Sequence, residues 1–402
     1  MKYAIVILDG ASGEPLECFG GRTTLEAANT PYLDALARVG TVGLAHNVPE
    51  GLEPSSNIAC TSICGYDPAL YPIGRGALEG AALGIELADD EVALRLNLTH
   101  VSDEGIMVSY STNNISLEDG RALLSELAAA LDDDDDVFTL HAGTGFRGIL
   151  VVKGHNALLE TSFPAAHNMT DEAVADYVAT GPEVELIADY CARAKAVLSA
   201  SPTNKRRAQE GKMVATDVFA FWPGARPAGM ESFSSLYDDI KAGMLSGVDL
   251  LNGIARLASI DTYSFEGVTD GSDNDYFAQG QGALAMLAEC DLVFIHVEAP
   301  DAEGHDGNAE GKKAAIEAID KDIISQLSAY AADAEKPELR ILALPDHPTP
   351  VATKRHTKDP VPFLLVGPGI ESNKAQRLTE AEATATGLVV ASGHKLMQAV
   401  LA

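Results

Sequence analysis

Positive charge is what this chain has least of. Its 402 residues carry 28 Lys and Arg against 59 Asp and Glu, and 28 − 59 leaves a formal charge of −31. Nucleic acids and anionic membrane surfaces both call for a basic footprint, so neither is the expected partner. A phosphorylated small molecule would need metal ions to supply local positive charge. Plain solubility or a salt-adapted host accounts for the acidity equally well. Cysteine is scarce too. The five, at 18, 60, 64, 191 and 290, include Cys60-x-x-x-Cys64 but no second pair to complete a zinc motif. An odd count in a long chain points to reduced thiols and a cytoplasmic setting. Long apolar runs are missing: none approaches the ~20 residues of a membrane span. The run after Lys2 is broken at Asp9, so no signal peptide is expected there. There is no internal repeat.

What is present suits a compact α/β protein: 46% hydrophobic residues, 36 Gly, and enough length for two cores. Three apolar runs of strand character each end in an acid. Tyr3–Leu8 leads into Asp9-Gly10. Leu292–Ile295 leads into His296, Glu298, Asp301, Glu303, His305 and Asp306. Arg340–Leu344 leads into Pro345-Asp346-His347-Pro348, with His356 further on. Each alone reads as a turn or a cap. Together, in a parallel sheet, three such ends meet in one crevice. Asp301 and His305 are four apart, so one helical turn would aim both at one metal.

Along the chain, 20–28 reads as a loop, and Thr30-Pro31 starts a helix with Thr30 as its cap. Glu53–Asp67 is a loop entering a short helix that ends at Gly65, with Ser56 at its start. A serine there is ordinarily an N-cap, yet free amides and the helix dipole would also suit an oxyanion. Glu91–Leu98, Met107–Tyr110, Phe138–Leu140, Gly148–Val152 and Val218–Trp222 read as strands, with helices at Leu117–Leu131 and Glu183–Leu198. Asp132–Asp136 is expected to be a solvated acidic loop, and Asn204–Lys212 a polar loop. Ile316, Ile319, Ile323 and Leu327 form the apolar stripe of a later helix, which is core rather than chemistry. The expected architecture is a doubly wound α/β domain from residues 1–85 and 236–402. Residues 86–235 form an inserted α+β substrate or lid domain.

Asp9, Ser56, Asp301, His305, Asp346, His347 and His356 offer four oxygens and three imidazoles, enough for two cations. Mixed carboxylate and imidazole donors suit Mn²⁺ or Zn²⁺ better than Mg²⁺ or Ca²⁺. Two such ions can hold both oxygens of an in-line displacement at phosphorus, and a serine beside them becomes a usable nucleophile.

These motifs, in this order, resemble the alkaline phosphatase superfamily, and within it the archaeal-type cofactor-independent phosphoglycerate mutases. The resemblance rests on Leu8-Asp9-Gly10, Thr24-Leu25-Glu26-Ala27 with Thr30-Pro31, and Pro54-Ser55-Ser56-Asn57 through Gly65-Tyr66-Asp67-Pro68. It continues through Gly74-Arg75-Gly76-Ala77-Leu78-Glu79, His296-Val297-Glu298-Ala299-Pro300-Asp301 with Gly304-His305, and Asp346-His347. It implies an alkaline-phosphatase-like fold and a glycolytic isomerase that interconverts 3- and 2-phosphoglycerate through phosphoserine. Ser56 would carry the phosphoryl group. Asp9, Ser56, Asp346 and His347 would hold one metal, and Asp301, His305 and His356 the other. Manganese or zinc would serve, with magnesium as a further option. The insert would close over the site and bring basic residues to the carboxylate, with Arg75, Arg147 and Arg226 as candidates.

The chain departs from the archaeal pattern within the insert. Asp-Arg-Arg-Ala-Gly-Arg-Ile is replaced by Ser109-Tyr110-Ser111-Thr112-Asn113-Asn114-Ile115, and Tyr-Arg-His by Phe146-Arg147-Gly148. At the nucleophile, Gly-Ser-Asp is Ser55-Ser56-Asn57. Two alternatives therefore stand beside the mutase. One is a phosphotransferase or phosphatase with the same core and another small phosphorylated metabolite, such as the bacterial relatives proposed to be homoserine kinases. The other is a metal-binding scaffold without turnover.

Overall fold

A computed structural model describes residues 1–132 and 137–402. The expected acidic loop lies outside the described residues except for Asp132. The chain forms two compact units, Met1–Pro72 with Met230–Ala402, and Ile73–Gly229. Among the described residues no helix is long and apolar enough to cross a membrane.

The strands in chain order are β1 (Lys2–Leu8), β2 (Thr41–Ala45), β3 (Glu91–Val101), β4 (Met107–Ser109), β5 (Phe138–Ala142), β6 (Arg147–Lys153), β7 (Asp217–Gly224), β8 (Ala242–Leu245), β9 (Asp261–Tyr263), β10 (Leu292–Val297), β11 (Leu339–Leu344), β12 (Val361–Val366) and β13 (Val389–Val390). In the first unit eight strands run β13-β2-β12-β11-β1-β10-β8-β9. The sheet is mostly parallel, with β12 antiparallel to both neighbours. β1, β10 and β11 are largely apolar and buried on both faces, as a helix-covered parallel sheet requires. Their register sets the position of the acids. Leu8 pairs with Val297 and Ile7 with Leu344, so the three carboxyl ends are level and Asp9, Glu298 and Asp346 leave the sheet side by side. Ile316, Ile319, Ile323 and Leu327 lie in the core against these strands.

In the second unit β3 sits at the centre of a five-stranded sheet, flanked by β6 and β7. Val92, Leu94, Leu96 and Leu98 face one core with the helices Leu117–Leu131 and Val184–Ala200, while Arg95 and Asn97 point to the other face.

Both boundaries differ from expectation. The helix Arg75–Ala82 belongs to the second unit because Gly74 and Gly76 lie flat against β7 and β3: a Cβ there would fall 2.4 Å from Pro223 O and 2.2 Å from Ala93 O. Residues 230–235 belong to the first unit, where the Tyr66 hydroxyl donates to Glu231 O at 3.0 Å and Phe233 packs on Phe294. Three local expectations also fail. Thr24–Ala27 is a short helix, closed by a capping box of Thr23 and Glu26. Thr30 makes no cap bond: its hydroxyl turns to Asp34, and Asp320 accepts the Tyr32 and Leu33 amides instead. Residues expected as a polar loop form the helix Pro202–Gln209, capped by Ser201 and held by Arg206 and Arg207 on Asp119.

Candidate metal centre

Asp9 follows β1 and is fully buried. Its Oδ2 lies 2.7 Å from His296 Nε2, and the other ring nitrogen lies 3.0 Å from Ser246 Oγ. Burial pushes the His296 imidazole down to about 4, so the ring is neutral and one of its two nitrogens carries the proton. Asp9 Oδ1 is buried without any hydrogen-bond partner. Such an atom is costly unless something positive meets it. Next to it, Gly10 has φ +59°, and a Cβ there would fall 2.4 Å from Asp301 Oδ1, which only glycine avoids.

Asp346 accepts the Gly10 and His347 amides on Oδ1, at 3.0 and 2.7 Å. Its Oδ2 faces His347 Nε2 at 3.2 Å. That nitrogen is also 3.2 Å from Ser56 Oγ and 3.8 Å from Asp9 Oδ1. Ser56 begins the helix Ser56–Ile63; the cap position belongs to Ser55, whose side chain makes no cap bond. One donor atom each from Asp9, Ser56, Asp346 and His347 therefore converges on one small volume.

Asp301 and His305 stand one turn apart on the helix Ala299–Asp306, which Pro300 opens and Gly307 closes in the left-handed conformation. His305 Nε2 is 3.2 Å from Asp301 Oδ2, and His356 Nε2 is 3.5 Å from Asp301 Oδ1. The two imidazole nitrogens face each other at 2.8 Å. Two ring nitrogens this close need a shared proton or a cation between them. Burial alone would raise the Asp301 carboxyl, but hydrogen bonds from His305, His356 and Thr349 outweigh it and hold the group below the usual range. Its carboxylate raises His305 to about 9. The His347 and His356 rings stack with centroids 3.9 Å apart, so the two clusters are neighbours. Ligand atoms of Asp9, Asp346 and His347 lie within 4.8 Å of one another, as do those of Asp301, His347 and His356, separations a divalent cation would span; His305 adjoins the second group through Asp301 and His356.

Beside Glu298, which belongs to the acid-ended run after β10, three groups here carry no motif that singles them out in the sequence: Lys312, Thr349 and Glu380. Glu298 lies 3.7 Å from His296 Nε2, and burial together with Asp301 and Asp346 raises it to about 8. Lys312 is fully buried; its Nζ donates to Ser12 O at 3.0 Å and Thr349 O at 2.7 Å. Thr349 Oγ1 donates to Asp301 Oδ1. Glu380 accepts from Ser12 Oγ, the Gly13 amide and Thr23 Oγ1. A lysine four residues before Ile316, on the apolar face, is the available signal for Lys312.

The three candidate arginines belong to the second unit. Arg75 pairs with Glu79 at 3.0 Å and lies over the Trp222 ring at 4.2 Å. Glu79 also receives Arg95, a buried arginine outside every motif, at 3.1 Å. Arg147 lies over Phe146, and its charge, with that of Arg75, adds to the effect of burial in lowering the Arg95 pKa. Arg226 is exposed and makes no ion pair among the described residues. Thr112, Asn113 and Asn114, within the segment that departs from the archaeal pattern, all have positive φ.

Known proteins share this arrangement of strands and helices. The family model for 2,3-bisphosphoglycerate-independent phosphoglycerate mutase matches residues 37–204. The protein of that name from Methanosarcina barkeri is 38% identical over 395 residues, covering 98% of either chain. A solved structure from Pyrococcus horikoshii superposes with a TM-score of 0.81 at 28% identity, covering 100% of this chain and 97% of that one. The cofactor-independent phosphoglycerate mutase of Thermoplasma acidophilum shares the fold, with a TM-score of 0.68 at 21% identity over 99% of this chain and 98% of that one. This chain belongs to the family of 2,3-bisphosphoglycerate-independent phosphoglycerate mutases.

Proposed function

We propose that the protein interconverts 3-phosphoglycerate and 2-phosphoglycerate through a phosphoserine at Ser56, with two divalent cations. The observation that carries this reading is Ser56 Oγ at 3.2 Å from His347 Nε2, beside two adjoining sets of cation donors. Asp9, Ser56, Asp346 and His347 hold one cation; Asp301, His305 and His356 hold the other. When bound, manganese or zinc lowers the pKa of the serine hydroxyl and neutralises charge on the phosphoryl group in flight. Ser56 Oγ forms its bond to phosphorus as the bond to the 3-oxygen of glycerate breaks, and the proton given up by the serine hydroxyl ends on that oxygen. Glycerate turns while trapped, and its 2-oxygen gives up its proton as it takes the group back, leaving Ser56 Oγ protonated again. The second unit serves as substrate-binding lid, with Arg75, Arg147 and Arg226 for the carboxylate. The reaction belongs to the cytoplasm.

The test is turnover. Pure protein with Mn²⁺ and 3-phosphoglycerate should form 2-phosphoglycerate without releasing phosphate. A second reading is supported by the uncharged run Ser109–Asn114: the same phosphoryl chemistry on another small phosphorylated metabolite, as in a homoserine-kinase-like phosphotransferase. Phosphate release without 2-phosphoglycerate, or no reaction with 3-phosphoglycerate alongside labelling of Ser56 by another donor, would favour it.

A further inference from the structure

Cys60 lies one turn beyond Ser56 on the same helix and is fully buried. Its thiol points at Asp346 Oδ2, with Sγ 3.7 Å from that oxygen. Sulfur and oxygen ligands at ~2.3 Å and ~2.0 Å from one ion are about 3.0–3.7 Å apart for angles of about 90–120°. Two further observations point the same way. Asp9 and Cys60 offer ligand atoms within 4.8 Å of each other. Asp9 Oδ1, from a residue with no exposed surface, has no hydrogen-bond partner.

We propose that Cys60 is a further, sulfur ligand to the cation held by Asp9, Ser56, Asp346 and His347, and that it makes this site select a soft divalent ion over Mn²⁺ and Mg²⁺. The inference rests on the two-cation reading above and adds to it a chemical preference: thiolate favours Zn²⁺, Co²⁺ or Cd²⁺. His296 is not counted in this ligand set; its Nε2 lies 2.7 Å from Asp9 Oδ2. Binding breaks the S–H bond, forms the sulfur–metal bond and releases the proton to solvent.

The test uses full-length protein, stripped with chelator and reloaded with Co²⁺ alone. The wild type should show visible d–d bands together with a near-ultraviolet thiolate-to-cobalt charge-transfer band. Cys60→Ser should keep the former and lose the latter, and its preference for Zn²⁺ over Mn²⁺ in competition should drop at least ~10-fold. Cadmium NMR of the wild type gives a readout that needs no variant, since a sulfur ligand moves the resonance far downfield of an all-oxygen-and-nitrogen site. The inference is overturned by d–d bands without charge transfer, by a charge-transfer band that survives in Cys60→Ser, or by a cadmium resonance without the downfield shift. Failure to bind cobalt at all would overturn it together with the two-cation reading, and so is told apart from a cation bound without sulfur.

Discussion

Ser56 and His347 come from chain segments 291 residues apart, yet Ser56 Oγ lies 3.2 Å from His347 Nε2. The level ends of β1 and β11 set His347 beside Asp9, and the helix Ser56–Ile63 presents its first side chain to that pair. Replacing Ser56 with alanine removes the hydroxyl that would accept the phosphoryl group. Mutase activity should fall by roughly 10⁴-fold or more, as for loss of a covalent nucleophile. Labelled 3-phosphoglycerate should leave no label on the variant, while its circular dichroism stays that of the wild type. Full activity in Ser56→Ala would end the phosphoserine reading.

Cation stoichiometry separates the two clusters. The wild type should bind two Mn²⁺ or Zn²⁺ per chain, counted by elemental analysis after gel filtration. His305→Ala should bind one, because it opens only the Asp301–His305–His356 set. Chelation should lower the melting temperature. Saturation at ~100 times Kd should restore about 2.7 kcal/mol per site. A variant that still holds two ions tightly would show that His305 is not a ligand.

His296 fixes Asp9 rather than touching a cation itself. Its Nε2 lies 2.7 Å from Oδ2, while Oδ1 is buried with no hydrogen-bond partner and is the oxygen left to meet a cation. His296→Ala should therefore weaken the cation bound by Asp9 about 10–100-fold, the usual cost of losing an outer partner. Isothermal titration should place the loss in one of two sites. An equal loss at both would mean a general loosening of the fold.

How much of the molecule is legible in the sequence depends on distance along the chain. The three acid-ended strands are legible because period and turn chemistry are local, and the level register of β1, β10 and β11 is what sets those acids side by side. The cap on the helix Pro31–Val39 is not, because Asp320, far away in sequence, displaces Thr30 from that role. The helix Pro202–Gln209 is hidden for a similar reason. Its residues show no apolar stripe, and Asp119, which grips two of its arginines, lies some eighty residues upstream. Cys60 gives no signal through zinc-motif spacing, because that rule looks only for a second cysteine pair. The division of ligands between two cations comes from family resemblance, since spacing alone allows several partitions.

Asp119 offers a test of the second unit. It is buried and bonded to Arg206 and Arg207, the latter at 2.5 Å and buried as well. Asp119→Ala strands Arg207 without its partner and should cost roughly 3–5 kcal/mol. The hydrogen bond from Arg206 is the largest influence holding the carboxyl below its usual range. A depressed folded pKa means stability that is complete above the unfolded value, about 3.9, and is lost as pH falls through the folded one. Urea midpoints of the wild type should drop through that acid window, and those of the variant should drop less.

Lys312 gives the opposite sign. Burial pushes its ammonium down to about 8, against the pull of Asp301, Glu380, Asp9 and Asp346. An unfolded lysine titrates near ~10.4, so between those values the unfolded chain binds more protons than the folded one. Stability contributed by this group must then rise with pH across that window. Below it, the folded protein bears the cost of a buried charge, offset by the Ser12 and Thr349 carbonyls that Nζ ties together beneath the ligand-bearing loops. Lys312→Met removes both the charge and the tie, leaving two carbonyls unmet. In chelator, the stability gap between wild type and variant should widen from about pH 8 upward and level off above the lysine range. A gap independent of pH would mean that Lys312 stays charged throughout, with its neighbouring acids outweighing its burial.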